Sequence, residues 1–237
     1  MQKVLSRLAP VLLLLTVFSY SSCQKEDQDS STSTEEKPGQ IPGMGNDPRP
    51  PEGPLFTLPP GVSLIGNITG QDDGPTASDC VYDGQGTNVK VKMILQNDSI
   101  GAPATIEFPP GLVITAITDG FQNGLLMERI VVVLPPRQPG GNAPKCNVTL
   151  MLSCLNAQDK PSTESAIYTF GPVTSSSLIN DFISKLSTKE ILYSKFPPTD
   201  PDWNLNQEFI QDALWNLTDG KGLTNADLKH IQDLPNK

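Results

Sequence analysis

The sequence predicts a mainly β protein with C-terminal helices (α+β), an antiparallel β-sandwich followed by a small helical segment. Three observations carry that expectation. Short stretches between residues 88 and 154 alternate apolar and polar side chains, the period of a half-buried strand. Gly- and Pro-rich turns split those stretches at short intervals. Beyond residue 174 the apolar spacing changes to three and four, the period of a helix face.

Taken in order, residues 1–22 have the build of a secretory signal peptide. Lys3 and Arg7 form a positive start, Ala9 to Phe18 an apolar run, and Ser19, Ser21 and Ser22 a small-residue end before Cys23. The apolar run is about half the ~20 residues that a membrane-spanning helix needs. A Cys at the expected cleavage point, followed by Gln24-Lys25-Glu26-Asp27, resembles the lipidation site and acidic export signal of Bacteroidetes-type surface lipoproteins. Tyr20 stands where such sites most often carry Leu. The resemblance implies that the Cys23 thiol is acylated, palmitate included. It also implies an outer membrane lipoprotein facing the cell exterior, with the membrane as a partner through the lipid alone.

Residues 23–54 are expected to be a disordered tether. Ser30 to Lys37 lacks an apolar period, and Pro38 to Pro54 is dominated by Pro and Gly. About 30 such residues reach roughly 100 Å when fully extended. The β-sandwich is placed at 55–156. Its clearest strands are 88–95, with Val89, Val91, Met93 and Leu95 on one face, then 104–108, 112–114, the β-branched run 130–133, and 146–154. The phrase Phe108-Pro109-Pro110-Gly111-Leu112-Val113 resembles strands of Ig-like domains in bacterial surface proteins, which implies an Ig-like sandwich. Residues 157–237 are read as a loop to 172, with an apolar patch at 167–170, and then a helical segment packed on the sandwich. Leu178, Ile179, Phe182, Ile183 and Leu186 mark a first helix, capped by Thr174 or a neighbouring Ser. Pro197, Pro198 and Pro201 interrupt. Phe209, Ile210, Ala213 and Leu214 mark a second helix over 206–217. Thr224 with Asp227 reads as a capping box for a third.

Charge removes several functions from consideration. The chain carries 17 basic and 26 acidic residues. Without Lys3 and Arg7 the mature form has 15 against 26, a formal charge of −11. Such a surface repels nucleic acid and anionic lipid headgroups. The single His, His230, stands among polar residues and reads as a solvated helix side chain. No acid, base and nucleophile set for a hydrolase is visible, nor a ligand spacing for a metal, so the chain is expected to be non-enzymatic with no cofactor and no metal.

Three cysteines remain after Cys23, and an exported protein is expected to pair them. Cys146 and Cys154 lie eight residues apart on one apparent strand. At ~3.3 Å per residue that is roughly 26 Å, far beyond disulfide reach. Either Cys80 pairs with Cys146 and Cys154 is free, or Cys80 pairs with Cys154 and Cys146 is free.

One constellation carries possible chemistry. Ser153-Cys154-Leu155-Asn156 ends a strand, and Phe209-Ile210-Gln211-Asp212-Ala213-Leu214-Trp215 lies on a helix. Together they resemble the thioester domains of bacterial surface proteins, although Ser153 and Ile210 depart from the bulky residue and the Thr usual at those places. The resemblance covers residues 145–220. It implies Cys154 as the thiol and Gln211 as the acyl donor, joined with loss of ammonia. Trp215, Leu152 and Phe170 are the apolar candidates for shielding the bond from water. It also implies the first of the two pairings above, with Cys80 and Cys146 as the disulfide. The purely structural reading makes Gln211 a loop-capping helix residue, Trp215 core, and Cys154 a disulfide partner or a buried apolar thiol.

The function expected from all this is non-enzymatic binding or adhesion at the cell surface, toward an extracellular protein or glycan. The covalent adhesin acting through Cys154 and Gln211 is the alternative, and an accessory module of a glycan-uptake complex a second one.

Overall fold

The computed structural model describes residues 36–76, 79–196 and 200–237. The expectations on residues 1–35, including the signal peptide and Cys23, lie outside them. The strands are β1 (Val62–Gly70), β2 (Asp79–Gly84), β3 (Val89–Asn97), β4 (Ala104–Phe108), β5 (Leu112–Ala116), β6 (Gly124–Leu125), β7 (Ile130–Leu134), β8 (Lys145–Cys154) and β9 (Ile167–Val173). The helices α1 (Ser177–Leu186), α2 (Pro201–Thr218) and α3 (Asn225–Asp233) follow.

The molecule is mainly β with three C-terminal helices, but the sheet is a closed barrel and not the expected sandwich. Six antiparallel strands run in the order β8, β3, β1, β9, β5, β6, and β6 returns to β8. Closure depends on the length of β8. Its residues 147–151 hold β2 in parallel along one edge, and its last two residues, Ser153 and Cys154, hold β6 on that same edge. The other edge pairs with β3 from Lys145 to Leu152. Gly124 makes the seam possible, because a Cβ there would stand 2.6 Å from the Leu152 side chain. In β1 the register shifts between Ile65 and Thr69, where Gly66 takes φ 74°, and this bulge bends the strand around the barrel. Strands β4 and β7 form a separate two-stranded sheet.

Two apolar clusters result. The first fills the barrel and includes Val91, Met93, Leu95, Ile114, Leu152, Cys154 and Tyr168. The second lies between Val113, Leu125, Met127 and Leu155 on the barrel side and Phe182, Ile210, Leu214 and Leu217 on the helices. Helix α1 starts at Ser176, whose hydroxyl accepts the amide of Ile179. Helix α2 begins five residues earlier than its apolar spacing suggested. Pro201, read as an interruption, is its first residue, a position where a missing N–H costs nothing, and Asp200 caps it. The capping box at Thr224 and Asp227 is present at α3.

Residues 36–54 are a second departure. They form an ordered strap, not a disordered tether. Ile41 and Met44 are fully buried in the second cluster. One carboxylate oxygen of Glu36 accepts the Ser176 and Ser177 hydroxyls and the Leu178 amide, at 2.9, 3.0 and 3.1 Å. The Gly39 amide donates to the Leu217 carbonyl and the Gly45 amide to that of Leu155. Gly45 can pass that close to α2 only without a Cβ, which would collide with the Thr218 carbonyl. An irregular strap needs no apolar period, so two buried side chains escaped a periodicity argument. The boundary expected at residue 156 is crossed as well, because β9 is an integral barrel strand pairing with β1 and β5.

Candidate functional site

Cys154 ends β8 inside the barrel wall, and Gln211 stands at the middle of α2, 57 residues further on. The fold puts them side by side. The Cys154 amide donates to Gln211 Oε1 at 2.8 Å, and Gln211 Nε2 donates to the Cys154 carbonyl at 2.8 Å. Both residues are buried, Cys154 completely. The reason is local. Strand β3 pairs with β8 only as far as Leu152, so Cys154 has no strand partner on that edge. The primary amide of Gln211 supplies the donor and the acceptor that a neighbouring strand would have supplied.

The Cys154 thiol sits in a dry place. Burial pushes it up to about 12 from its ordinary 9.0. The Asn156 amide and the Trp215 indole N–H face the sulfur and work in the opposite direction, favouring thiolate. Trp215 Nε1 is buried and makes no regular hydrogen bond. Tyr168, on β9, is 2% exposed, and its hydroxyl is also buried without a partner. Burial first, and then the nearby charge of a Cys154 thiolate, push that phenol up to about 12. Asn156 fixes the next stretch of chain. Its Oδ1 accepts the Asn123 amide at 3.1 Å, and its Nδ2 donates to the strap at the Gly45 carbonyl, 2.9 Å away.

The arrangement places the Gln211 carboxamide against the backbone of the residue that carries the thiol. The carboxamide carbon of Gln211 lies between its two contacts with Cys154, the residue that carries the thiol. The Cys154 amide already donates to Oε1, the atom on which negative charge develops when a nucleophile adds to that carbon. Nε2, the nitrogen that a thiol attack on that carbon would release as ammonia, is held on the opposite contact. A thioester is uncharged, so the burial that penalises thiolate does not penalise the product.

Cys80 and Cys146 form the disulfide, with Cα atoms 5.5 Å apart, and among the described residues Cys154 is the free cysteine. Trp215 packs against the barrel core beside the Cys154 sulfur. Leu152, two residues before Cys154 on the same face of β8, is fully buried in that core. Phe170 is placed with Phe56 and Phe108, at ring distances of 5.0 and 6.1 Å. Tyr168, on the same face of β9, is the residue near the thiol. Sequence reasoning missed Tyr168 because 167–170 read as a patch in a loop, and it missed the strap glycines because nothing marked them as covering a site. His230 is half-exposed and stacks on Phe209 at 4.1 Å. Among the described residues no cluster of His, Cys, Asp and Glu forms a metal site, and no helix is long and apolar enough to cross a membrane. The chain matches no family model, no curated protein and no solved structure.

Proposed function

We propose that this protein is a lipid-anchored surface adhesin that couples covalently to its target through an internal thioester between Cys154 and Gln211. The observation that carries the reading is the two-point contact of a buried Gln211 carboxamide on a buried, unpaired Cys154. In the first step the thiol sulfur bonds to the Gln211 carbonyl carbon, the C–N bond breaks, and the thiol proton leaves with the nitrogen as ammonia. In the second step a partner's amine or hydroxyl attacks the same carbon. The C–S bond breaks and Cys154 returns as a thiol. The protein is consumed once and does not turn over, so it is not an enzyme in the usual sense. Thiolate is a poor leaving group in a site this dry, which slows hydrolysis while the shield stays in place. Lipidation at Cys23 and outward display complete the reading, because a covalent catch is useful only where a foreign surface can be met.

The non-covalent reading keeps one observation in its favour. The same two hydrogen bonds satisfy the Cys154 backbone with no chemistry at all. The mass of the folded chain 23–237, with Cys23→Ser, separates the two. The thioester reading expects a deficit of one ammonia beyond the two hydrogens of the disulfide, replaced by an adduct after methylamine and absent in Gln211→Ala. A deficit of two hydrogens alone, unchanged by amine, ends the covalent reading and leaves a disulfide-stapled binding domain.

A further inference from the structure

The C-terminal half of α2, the turn after it and α3 line an open cavity of about 400 Å³. Trp215 lines it. The same indole faces the Cys154 sulfur through its N–H and packs against the barrel core. Trp215 lies four residues after Gln211, on the same side of the helix. Its ring therefore stands between this cavity and the Cys154 sulfur, touching both.

The rest of the wall says what the cavity suits. Phe209 and His230 stack with ring centres 4.1 Å apart and 26° between planes, giving a flat, apolar side. Three carboxylates and one ammonium line the space. Asp227 is spoken for, since it accepts the Thr224 amide and the Asn216 side chain. Asp212 and Asp219 are not in the same position. They make no ion pair among the described contacts, and burial holds the Asp219 carboxyl above its ordinary range, with Lys221 opposing that effect. A positive group arriving between them is favoured by both.

We propose that this α2–α3 cavity is the port through which the nucleophile reaches the thioester, and that its occupant is a lysine side chain from a basic polypeptide segment of the partner. The inference rests on the thioester reading above. The ammonium is drawn in by Asp212 and Asp219, the aliphatic stem lies along the Phe209–His230 face, and Trp215 turns aside. The lysine nitrogen then bonds to the Gln211 carbonyl carbon as the C–S bond breaks. Of the two protons the ammonium gives up, one ends on the Cys154 sulfur and the other passes to water. A hydroxyl or an acidic segment gains nothing from the two carboxylates, so the port selects by charge as well as by nucleophilicity.

The test uses the whole mature chain, 23–237 with Cys23→Ser, whose ammonia deficit is measured first. It is then offered equal amounts of 1,5-diaminopentane and 6-aminohexanoate. Each adds through a primary amine, but one brings a second positive charge and the other a negative one. Their adducts differ in mass. The port predicts a preference of about fivefold for the diamine at low salt, falling toward parity at about 1 M salt. The paired substitutions Asp212→Asn and Asp219→Asn keep the ammonia deficit and abolish the preference, and Asp212→Lys with Asp219→Lys reverses it. Equal coupling of the two probes by the native chain overturns the port. So does a preference that salt and these substitutions leave unchanged. A native chain without the ammonia deficit overturns the thioester reading itself, and the port with it.

Discussion

Strand β8 carries a cysteine near each end, and the two have different fates. Cys146 and Cys154 are both buried, at 1% and 0% exposure, and both belong to the barrel core. Cys146 meets Cys80 and is oxidised. Cys154 meets an amide from a helix and is free. Burial is the same, so burial decides nothing about their chemistry. What decides it is the element on the neighbouring edge. Strand β2 runs alongside residues 147–151 of β8 and brings a second sulfur, whereas β3 stops at Leu152 and leaves an edge that α2 fills with a carboxamide.

The largest effect that sharpens this comparison comes from the oxidised end. Replacing Cys80 and Cys146 by Ala opens a covalent loop of 66 residues, worth about 4 kcal/mol in the chain-entropy picture. Urea unfolding reads that loss, and the ammonia deficit at the other end of the strand is expected to survive it. A deficit that disappears with the disulfide makes the two ends one unit.

The free end responds to pH instead. In Gln211→Ala, Cys154 is a thiol whose folded value of about 12 stands above its unfolded 9.0. The folded state then keeps a proton that the unfolded state gives up. Its contribution is complete below pH 9 and is lost as pH rises toward 12. If the native sulfur is acylated as proposed, the native chain lacks that dependence at Cys154 and keeps the part from Tyr168, whose phenol burial pushes up from 10.0 to about 12. Urea midpoints at pH 8 and near pH 10 are expected to fall more steeply for Gln211→Ala than for the native chain. Parallel curves break the contrast between the two ends.

The smallest effect is at Tyr168. Its hydroxyl is buried with no partner, so Tyr168→Phe removes an unpaired polar group and is expected to change stability by no more than about 1 kcal/mol, in the stabilising direction. The ammonia deficit should remain. A loss of the deficit in a stably folded Tyr168→Phe shows that the hydroxyl takes part in forming the bond.

Much of this was legible in the chain because some signals are local. The alternation Val89, Val91, Met93, Leu95 marks β3, and the capping box marks α3. The eight-residue spacing on one strand forbade a Cys146–Cys154 bridge, and the phrase around Gln211 resembled a known partner for a cysteine. What was not legible depends on long-range fit. Barrel closure rests on a two-residue strand, β6, whose decisive feature is the missing side chain of Gly124. Strand β9 contains Gly171 and Pro172, which read as a loop, yet it lies between β1 and β5. The strap has no period at all, and its order comes from sockets provided by α1, α2 and Leu155.

That strap changes the mechanics of attachment. If Cys23 is the anchor as proposed, residues 24–35 separate the lipid from Glu36, the first packed side chain among the described residues. Twelve residues reach about 40 Å at most, less than half the span of a tether running to residue 54. On the proposed reading, the catch would be kept within that reach of the membrane. Tension between that membrane and a captured partner would enter the fold at Glu36. It would pass through the Gly39–Leu217 and Gly45–Leu155 hydrogen bonds into the end of α2 and the residue after Cys154. Both bonds lie next to the Cys154–Gln211 pair, one at the end of the helix that carries Gln211 and the other at the residue after Cys154.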